Sequence, residues 1–318
     1  MSDANGMEDT DGAIAAESHT SGRRCGFAAV IGAPNAGKST LVNALVGAKV
    51  SIVTHKAQTT RTRVRGIALE GVSQIILVDT PGIFAPKRRL DRAMVDTAWT
   101  EAREADVVVL VIDAARGIDD LVEPIFREVG SLSMPVSLAI NKIDKVAKHT
   151  LLTLAAEAIA RHPFEQVFMI SALSGDGVAD LKAYLAGKMP ESIWLFPEDQ
   201  IADAPLRQWA AEVTREKLFL RLHDELPYSS TVETTDWKTL KDNSIRIEQT
   251  IFVERDSQKK IVLGLKGQTI KHISSESRRE IAEAIETPVH LFLFVKVREN
   301  WSDDPERYRE MGLEYPKK

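Results

Sequence analysis

The sequence predicts an α/β domain, with a mostly parallel sheet and helices on both faces, followed by a smaller α+β domain. From Gly22 to about Pro190, apolar runs that suit buried strands alternate with helical stretches, which is the pattern of a parallel sheet. Pro190, Pro197 and Pro205 then interrupt the alternation, and a second set of elements follows. A length of 318 residues is enough for two domains of ordinary size.

These breaks divide the chain into four predicted parts. Residues 1–21 form an acidic tail that we expect to be disordered, because it cannot bury enough apolar surface to offset its ordering entropy. Residues 22–190 form the first domain and residues 191–205 a linker. Residues 206–318 form the second domain with a C-terminal tail.

Composition excludes several classes of protein. Cys25 is the only cysteine, so no intrachain disulfide can form. The longest apolar run, residues 107–112, is far shorter than the roughly 20 residues of a membrane span, and the first residues lack a signal-peptide core. The net charge of −5 means that any RNA contact must come from a local basic patch. We expect a cytoplasmic protein and no DNA partner.

The apolar runs of the first domain have the length of strands, and stretches with helical spacing follow them. Strands are predicted at residues 27–31, 75–79, 107–112, 135–140 and 167–170. Helices are predicted at residues 39–47, 91–105, 118–129 and 151–161. Residues 57–70 are rich in Thr and Arg and are predicted to form a mobile effector loop, with an exposed edge strand as the alternative.

The first strand leads into the pattern G-x-x-x-x-G-K-[ST], at Gly32, Gly37, Lys38 and Ser39. The glycines let backbone N–H groups surround a phosphate, and the N-terminus of the following helix favours the anion. We expect Lys38 to bridge the β- and γ-phosphates and the Ser39 hydroxyl to ligate Mg²⁺. The predicted phosphate-binding loop comprises Gly32, Ala33, Pro34, Asn35, Ala36, Gly37, Lys38, Ser39 and Thr40.

The second strand ends at Asp79, and Thr80, Pro81 and Gly82 follow it. A carboxylate in this place holds the Mg²⁺ shell in P-loop enzymes. Gly82 has no Cβ, so its amide can approach a γ-phosphate and sense the state of the nucleotide. We expect all four residues to contact the nucleotide or its metal.

The Thr-rich loop offers a third metal ligand. Thr59 or Thr60 can give a hydroxyl to Mg²⁺ and an N–H to the γ-phosphate, and can lose both contacts after hydrolysis. We assign Thr60 to the metal, together with Ser39 and Asp79. The predicted catalytic residues are Lys38, Thr60 and Gly82.

Two further segments select the base. An ionised Asp144 accepts hydrogen bonds only, so it matches the N1–H and amine of guanine and is mismatched to adenine, which disfavours an ATPase. Asn141 can tie loops together, the stem of Lys142 can cover the base, and the N–H of Ala172 can reach guanine O6. The predicted base-binding residues are Asn141, Lys142, Asp144, Ser171, Ala172 and Leu173.

The second domain is predicted to contain helices at 206–222 and 268–286 and strands at 230–233, 245–253, 259–263 and 289–297. A G-x-x-G loop precedes the longer helix. Such a loop, with a basic side chain, clamps four nucleotides of single-stranded RNA in KH domains, whereas alone it is an ordinary turn. Seven Lys or Arg against two acids between residues 255 and 279 favour RNA. The predicted RNA-binding residues are Gly264, Leu265, Lys266, Gly267 and Lys271.

The motifs GAPNAGKST, KAQTTR, DTPG, NKID, FPED, VERDSQKKIVLGLKGQTIKHI and PVHLFLFVKV resemble the Era family of bacterial ribosome-assembly GTPases, from Gly26 to Trp301. The resemblance implies a Ras-like GTPase domain followed by a type II KH domain. It also implies GTP/GDP and Mg²⁺ as cofactors, and binding to the 3′ end of 16S rRNA during assembly of the 30S subunit and rRNA maturation. Peripheral association with the inner face of the cell membrane is implied by the resemblance alone.

Two residues bear on catalysis. Ile83 stands where Ras-like enzymes carry a water-positioning Gln, and an apolar side chain cannot orient water, so slow intrinsic hydrolysis is expected. In relatives, an Asn at the position of Asn35 helps to hold K⁺ beside the phosphates; the alternative role of Asn35 is a loop-stabilising amide.

A mainly RNA-binding assembly factor with a passive GTP/GDP-sensing site remains the alternative function. The single GTPase domain and the G-x-x-G unit disfavour relatives that act in tRNA modification or large-subunit assembly.

Overall fold

The structure, a computed structural model, describes residues 22–56 and 58–316, except the side chain of Glu310. The predicted acidic tail and Ala57 lie outside the described residues. The strands are β1 Arg24–Ile31, β2 Val64–Glu70, β3 Ser73–Asp79, β4 Val107–Asp113, β5 Val136–Asn141, β6 Val167–Ile170, β7 Ser230–Thr239, β8 Ile245–Val253 and β9 Val289–Val297. The helices are α1 Lys38–Val46, α2 Arg89–Glu104, α3 Glu123–Val129, α4 Lys148–Arg161, α5 Val178–Lys188, α6 Leu206–Arg221, α7 Asp256–Leu263, α8 Gln268–Ala284 and α9 Pro305–Glu310.

The first domain is a six-stranded sheet in the order β2-β3-β1-β4-β5-β6, parallel except for β2. Alternate side chains of β1 enter different cores: Ala28 and Val30 pack with α1 and α5, whereas Ala29 and Ile31 pack with α2, α3 and α4. Helices therefore cover both faces, as predicted for a Ras-like GTPase domain. Because four strands are parallel to β1, the loops after β1, β3, β5 and β6 meet at one edge of the sheet.

The second domain is a three-stranded sheet in the order β7-β8-β9, in which β7 is antiparallel and β9 parallel to β8. Helices α6 and α8 pack against one face, around buried Phe219, Ile251 and Ile273. The element order α6-β7-β8-α7-α8-β9 is that of the type II KH domain that the family resemblance implies.

The sequence-based prediction of a strand at 259–263 is wrong, because these residues belong to α7. Ile261 and Val262 are β-branched, which favours a strand. However, the Gln258 side chain accepts the backbone N–H groups of Glu254 and Arg255, which caps a helix, and the chain leaves that helix at Gly264. The G-x-x-G loop thus joins two helices and not a strand to a helix.

Two boundaries in the first domain also differ from the prediction. Residues 64–70 of the predicted effector loop form β2, which pairs with β3, so the edge-strand alternative holds for this half of the segment. Helix α3 begins at Glu123 and not at residue 118, because the Asp119 side chain accepts the N–H groups of Leu121 and Val122 in a turn before it.

The linker lies against the first domain. Ile67 donates its N–H to the carbonyl of Ile201, and Asp203 donates to that of Arg65, so the linker pairs with β2 at the edge of the sheet. The C-terminal segment also returns to the first domain, where Trp301 and Tyr308 pack against Met94 of α2. Among the described residues, no helix is long and apolar enough to cross a membrane.

Candidate guanine-nucleotide site and nucleic-acid interface

The phosphate-binding loop holds a buried lysine. Lys38, which is 6% exposed, donates from Nζ to the carbonyl oxygens of Gly32 and Ala33 at 3.2 and 3.1 Å. Burial lowers the pKa of Lys38 to about 8, and the charge of Asp79 opposes this shift. The ammonium group is therefore still mostly charged at pH 7, inside a loop that surrounds it with carbonyl oxygens.

The glycines of this loop let its backbone lie close to the ends of the neighbouring strands. Gly37 has φ +99°, and a Cβ there would lie 2.2 Å from Nδ2 of Asn141. A Cβ on Gly32, with φ +147°, would lie 2.3 Å from the carbonyl oxygen of Val111. Any side chain at either position would displace the loop from the sheet edge.

The three predicted metal ligands meet in the structure. The hydroxyls of Ser39 and Thr60 are 2.9 Å apart, and Thr60 Oγ1 donates to Oδ2 of Asp79 at 3.2 Å. Asp79 is fully buried, and its Oδ1 has no hydrogen-bond partner among the described residues. Burial raises the pKa of Asp79, while the nearby Ser39 hydroxyl and the charge of Lys38 lower it. A buried carboxylate with an open oxygen beside two hydroxyls fits Mg²⁺, which prefers hard oxygen ligands.

The structure also distinguishes the two threonines. Thr59 Oγ1 donates to the carbonyl of Lys56 at 2.7 Å and lies 2.6 Å from Oγ1 of Thr54, so its hydroxyl is used inside the loop. Thr60 is the residue that reaches Asp79.

A cavity of about 580 Å³ lies in front of the phosphate-binding loop and the predicted metal ligands. It is bordered by Lys38, Thr40, Thr60, Gly82, Lys142 and Leu173, among others.

The segment after β3 packs on the phosphate-binding loop. A Cβ on Gly82 would lie 3.0 Å from three atoms of Pro34, and Ile83 donates its N–H to the carbonyl of Gly32 at 3.0 Å. The Ile83 side chain is 6% exposed and belongs to the core under α2. Thr80 is buried beside Pro81 and donates to the carbonyl of Val30.

The base-binding segments are joined to one another. Asn141 donates from Nδ2 to the carbonyl of Ala36 at 2.9 Å and accepts the N–H of Ala172 at 2.9 Å. It thus ties the loops after β1, β5 and β6 together, as predicted. Because Ala172 already donates to Asn141, guanine O6 would have to share this N–H, and the predicted contact stays a prediction.

Lys142 and Asp144 lie on the exposed side of this junction. Lys142 has φ +66° and donates to the carbonyl of Asn35 at 2.6 Å and to Asp113 at 2.7 Å, which extends its stem over the loop. Ser171 donates to Oδ1 of Asp144 at 2.7 Å and orients its carboxylate. Leu173 is 81% exposed at the rim. Asp113, at the end of β4, is a positioning residue that the motif analysis missed.

The effector loop is anchored in the KH domain. Arg61, 1% exposed, donates to the carbonyl oxygens of Pro227, Tyr228 and Ser230 at 2.8 to 3.1 Å. Arg215 of α6, 2% exposed, donates in the opposite direction, to the carbonyl of Thr59. Thr60 therefore lies between two residues that contact the second domain, which no local sequence signal indicated.

The G-x-x-G loop forms a separate candidate site. Gly264, Lys266 and Gly267 have φ of +73°, +52° and +76°, and Leu265 is 78% exposed. A Cβ on Gly264 would lie 2.2 Å from the Thr269 hydroxyl, whereas nothing lies within 4 Å of a Cβ on Gly267. Lys266 and Lys271 are exposed beside this open backbone, which fits contact with phosphates.

Comparisons with known proteins find the same two kinds of domain. A family model described as a 50S ribosome-binding GTPase matches residues 27–142, and a KH-domain model matches residues 225–302. GTPase Era of Afipia carboxidovorans is 64% identical over 92% of this chain and 96% of its own length, and GTPase Era of Brucella suis is 60% identical over 94% and 96%.

Two solved structures are similar over both domains. Era in complex with MgGDPNP and nucleotides 1506–1542 of 16S ribosomal RNA has a TM-score of 0.87 and 40% identity, over 91% of this chain and 99% of that chain. A variant of Aquifex aeolicus Era bound to GDP and AlF₄⁻ has a TM-score of 0.86 at the same identity and coverage. With this agreement in fold, motifs and length, the chain belongs to the Era family of GTPases.

Proposed function

We propose that this protein is a GTP-hydrolysing switch that binds the 3′ region of 16S rRNA and assists assembly of the 30S subunit and maturation of its rRNA. The observation that carries the proposal is the contact between Ser39, Thr60 and Asp79, which join the phosphate-binding loop, the effector loop and β3. The same chain carries a KH domain with an open G-x-x-G loop. A nucleotide site and an RNA clamp in one chain can respond to each other through the effector loop, which contacts both domains.

Mg²⁺ fits the first site. Ser39 and Thr60 would hold it with their hydroxyls, and Asp79 would hold it directly or through water. When bound, the ion neutralises charge on the β- and γ-phosphates. Lys38 contributes a second positive charge at the same phosphates, so the chain's own residues are arranged for charge stabilisation and positioning, which is most of what phosphoryl transfer requires.

Intrinsic hydrolysis is proposed to be slow. The Ile83 side chain is buried in the core, so it cannot orient a water molecule. The Asn35 side chain is exposed at the phosphate-binding loop and its amide makes no hydrogen bond to any other described residue, so the amide oxygen is available to a K⁺ ion beside the phosphates. Turnover should then be faster in KCl than in NaCl, and equal turnover would contradict the K⁺ site.

We propose that RNA binds along Gly264, Leu265, Lys266, Gly267 and Lys271. The place of action is the cytoplasm, where the small subunit is assembled. Peripheral association with the inner face of the cell membrane, which the family resemblance implies, can be tested by fractionating cells and following the protein.

The test is GTP hydrolysis by the full chain in KCl with Mg²⁺, with and without an RNA oligomer that matches the 3′ end of 16S rRNA. We expect the RNA to stimulate turnover and Gly267→Asp to abolish the stimulation, since a carboxylate there meets phosphates without a packing conflict. Gly71→Asp is the matched control, because it adds the same charge at an exposed glycine of the GTPase domain that also has a positive φ and nothing within 4 Å of its Cβ.

A different outcome favours the second candidate function. If the RNA binds tightly while turnover stays near zero, the protein is an assembly factor with a passive GTP/GDP-sensing site, for which the buried Ile83 is the specific observation. If neither hydrolysis nor RNA binding is found, both functions are excluded.

A further inference from the structure

A cleft lined by arginines lies between the two domains, outside the nucleotide site and the G-x-x-G loop. It consists of two adjoining cavities of about 300 and 190 Å³, both bordered by Gln208 and Met311. The effector loop and β2, the start of α6, the first half of β7 and the region of α9 form its walls. We call it the arginine cleft, after Arg61, Arg63, Arg65, Arg207, Arg215, Arg307 and Arg309.

The floor of the arginine cleft holds buried positive charge. Arg61 and Arg215 are 1% and 2% exposed, and Nε of Arg61 and Nη1 of Arg215 have no hydrogen-bond partner among the described residues. Burial lowers the pKa of Arg61 to about 9, and the charge of Arg215 adds to this shift. Arg61 has no carboxylate partner among the described residues, and a buried guanidinium without a counter-ion is costly, so the floor favours an anion nearby.

Carboxylates neutralise only part of this charge. Four of the seven arginines have an acidic partner: Arg63 pairs with Glu101, Arg65 with Asp203, Arg215 with Glu212 and Arg307 with Glu233. The remaining three, Arg61, Arg207 and Arg309, have no carboxylate partner among the residues that the structure describes. The cleft therefore carries about three excess positive charges on a chain whose net charge is −5.

We propose that the arginine cleft binds phosphate groups of an RNA backbone, as a second RNA contact beside the G-x-x-G clamp. Arg207 and Arg309 lie exposed at the rim, where their planar guanidinium groups can donate two hydrogen bonds to one phosphate. The excess charge is concentrated in a concave surface, which strengthens its attraction for a polyanion. This inference rests on the proposed function, since it assigns further RNA contacts to an RNA-binding protein.

The cleft and the clamp lie at opposite edges of the KH sheet. Helix α6 packs on β7, which borders the cleft, whereas α7 and α8, which flank the G-x-x-G loop, pack on β9. The two edges are about two strand spacings, or roughly 10 Å, apart. A KH clamp holds about four nucleotides, so an RNA of the length bound to the related Era, nucleotides 1506–1542, extends well beyond it.

The experiment measures binding of two RNAs to the full chain at several salt concentrations. One RNA covers nucleotides 1506–1542 of 16S rRNA, and the other is about four nucleotides long, which is the length that the clamp holds. For Arg207→Ala with Arg309→Ala, we expect about tenfold weaker binding of the long RNA, with its salt slope reduced by about 1.4. Binding of the short RNA should remain unchanged, because it cannot occupy both places.

The matched control is Arg103→Ala with Arg127→Ala, two exposed arginines on α2 and α3. If the cleft variant binds the long RNA with the affinity and salt slope of this control, the cleft does not bind RNA and the inference is wrong. Equal weakening of both RNAs also overturns it, because the substitutions would then act on the clamp. If the unaltered protein binds neither RNA, the proposed function itself fails.

Discussion

Lys38 differs from an ordinary lysine because the phosphate-binding loop buries its ammonium group. Its pKa of about 8 means that the charged fraction falls as the pH rises above 8, while a bound phosphate favours the charged form. Below pH 7 the group is charged with or without nucleotide, so the affinity there does not depend on this proton.

We therefore expect the affinity for GDP to be about tenfold weaker at pH 9 than at pH 7, which follows from one deprotonation with a pKa of about 8. Titration with a fluorescent GDP analogue at pH 6, 7, 8 and 9 measures this. Lys145→Met, a change of an exposed lysine that borders the same cavity, should leave the pH profile in place. Constant affinity up to pH 9 would contradict the assignment.

The sequence is sufficient to predict that Lys38, Asp79 and Asn141, which belong to contiguous motifs, lie at the same edge of the sheet. The residues alone leave Thr59 and Thr60 open, because both carry the same hydroxyl. The path of the loop directs Thr60, the residue that we assign to the metal, to Asp79. No sequence signal indicates Arg61, since an arginine in a Thr-rich loop is ordinarily exposed.

At the scale of elements, the predicted strands of the parallel sheet agree with the structure within about three residues. These strands are continuous apolar runs, because helices cover both faces of the sheet and bury the side chains on both sides. Such runs can be recognised in the sequence. For the residues of β2 the sequence predicts a loop, with an edge strand as the alternative, because Arg65 and Gly66 interrupt the apolar pattern. For residues 259–263 of helix α7 the sequence predicts a strand, because the capping contact of Gln258 is not detectable from periodicity.

Helix α6 connects the second domain to the nucleotide site. Arg215 donates to the carbonyl of Thr59, next to the predicted metal ligand Thr60. We expect Arg215→Ala to lower GTP turnover about tenfold, which corresponds to about 1.4 kcal/mol, because the effector loop loses this anchor. GDP affinity should change less than twofold, since the γ-phosphate contact of Thr60 is not made with GDP.

Steady-state hydrolysis and GDP binding, measured on the same preparation, test whether GTP turnover falls while GDP affinity is kept. Arg221→Ala, at the exposed last turn of the same helix, is the matched control. An equal loss of GTP turnover and GDP affinity would indicate general damage to the domain rather than a loosened effector loop.

At the scale of the whole molecule, the C-terminal segment fastens one domain to the other. Trp301 is 1% exposed, packs with Leu90 and Met94 of α2, and donates from Nε1 to the carbonyl of Ser229 at 3.1 Å. Its ring also lies 5.8 Å from the guanidinium of Arg61. The contacts of Trp301 therefore belong to both domains at once, and no periodic pattern in the sequence predicts such a contact.

Trp301→Ala should destabilise the protein by roughly 3–5 kcal/mol, the usual cost of truncating a buried Trp. In scanning calorimetry we expect the midpoint to fall by several degrees and the single transition to separate into two, because the domains lose a shared core. Trp194→Ala, which removes a partly exposed Trp of the linker, should cost much less. A single transition at an unchanged midpoint would show that the segment contributes little.

The linker has a consequence for solubility. Strand β2 lies at one edge of the six-stranded sheet. An exposed strand edge is a template on which other chains can pair and aggregate. The backbone bonds from Ile67 to Ile201 and from Asp203 to Arg65 occupy part of that edge. The segment that connects the two domains is thus also a protective cover, and proteolytic cleavage that released it would turn the GTPase half into an aggregation-prone fragment.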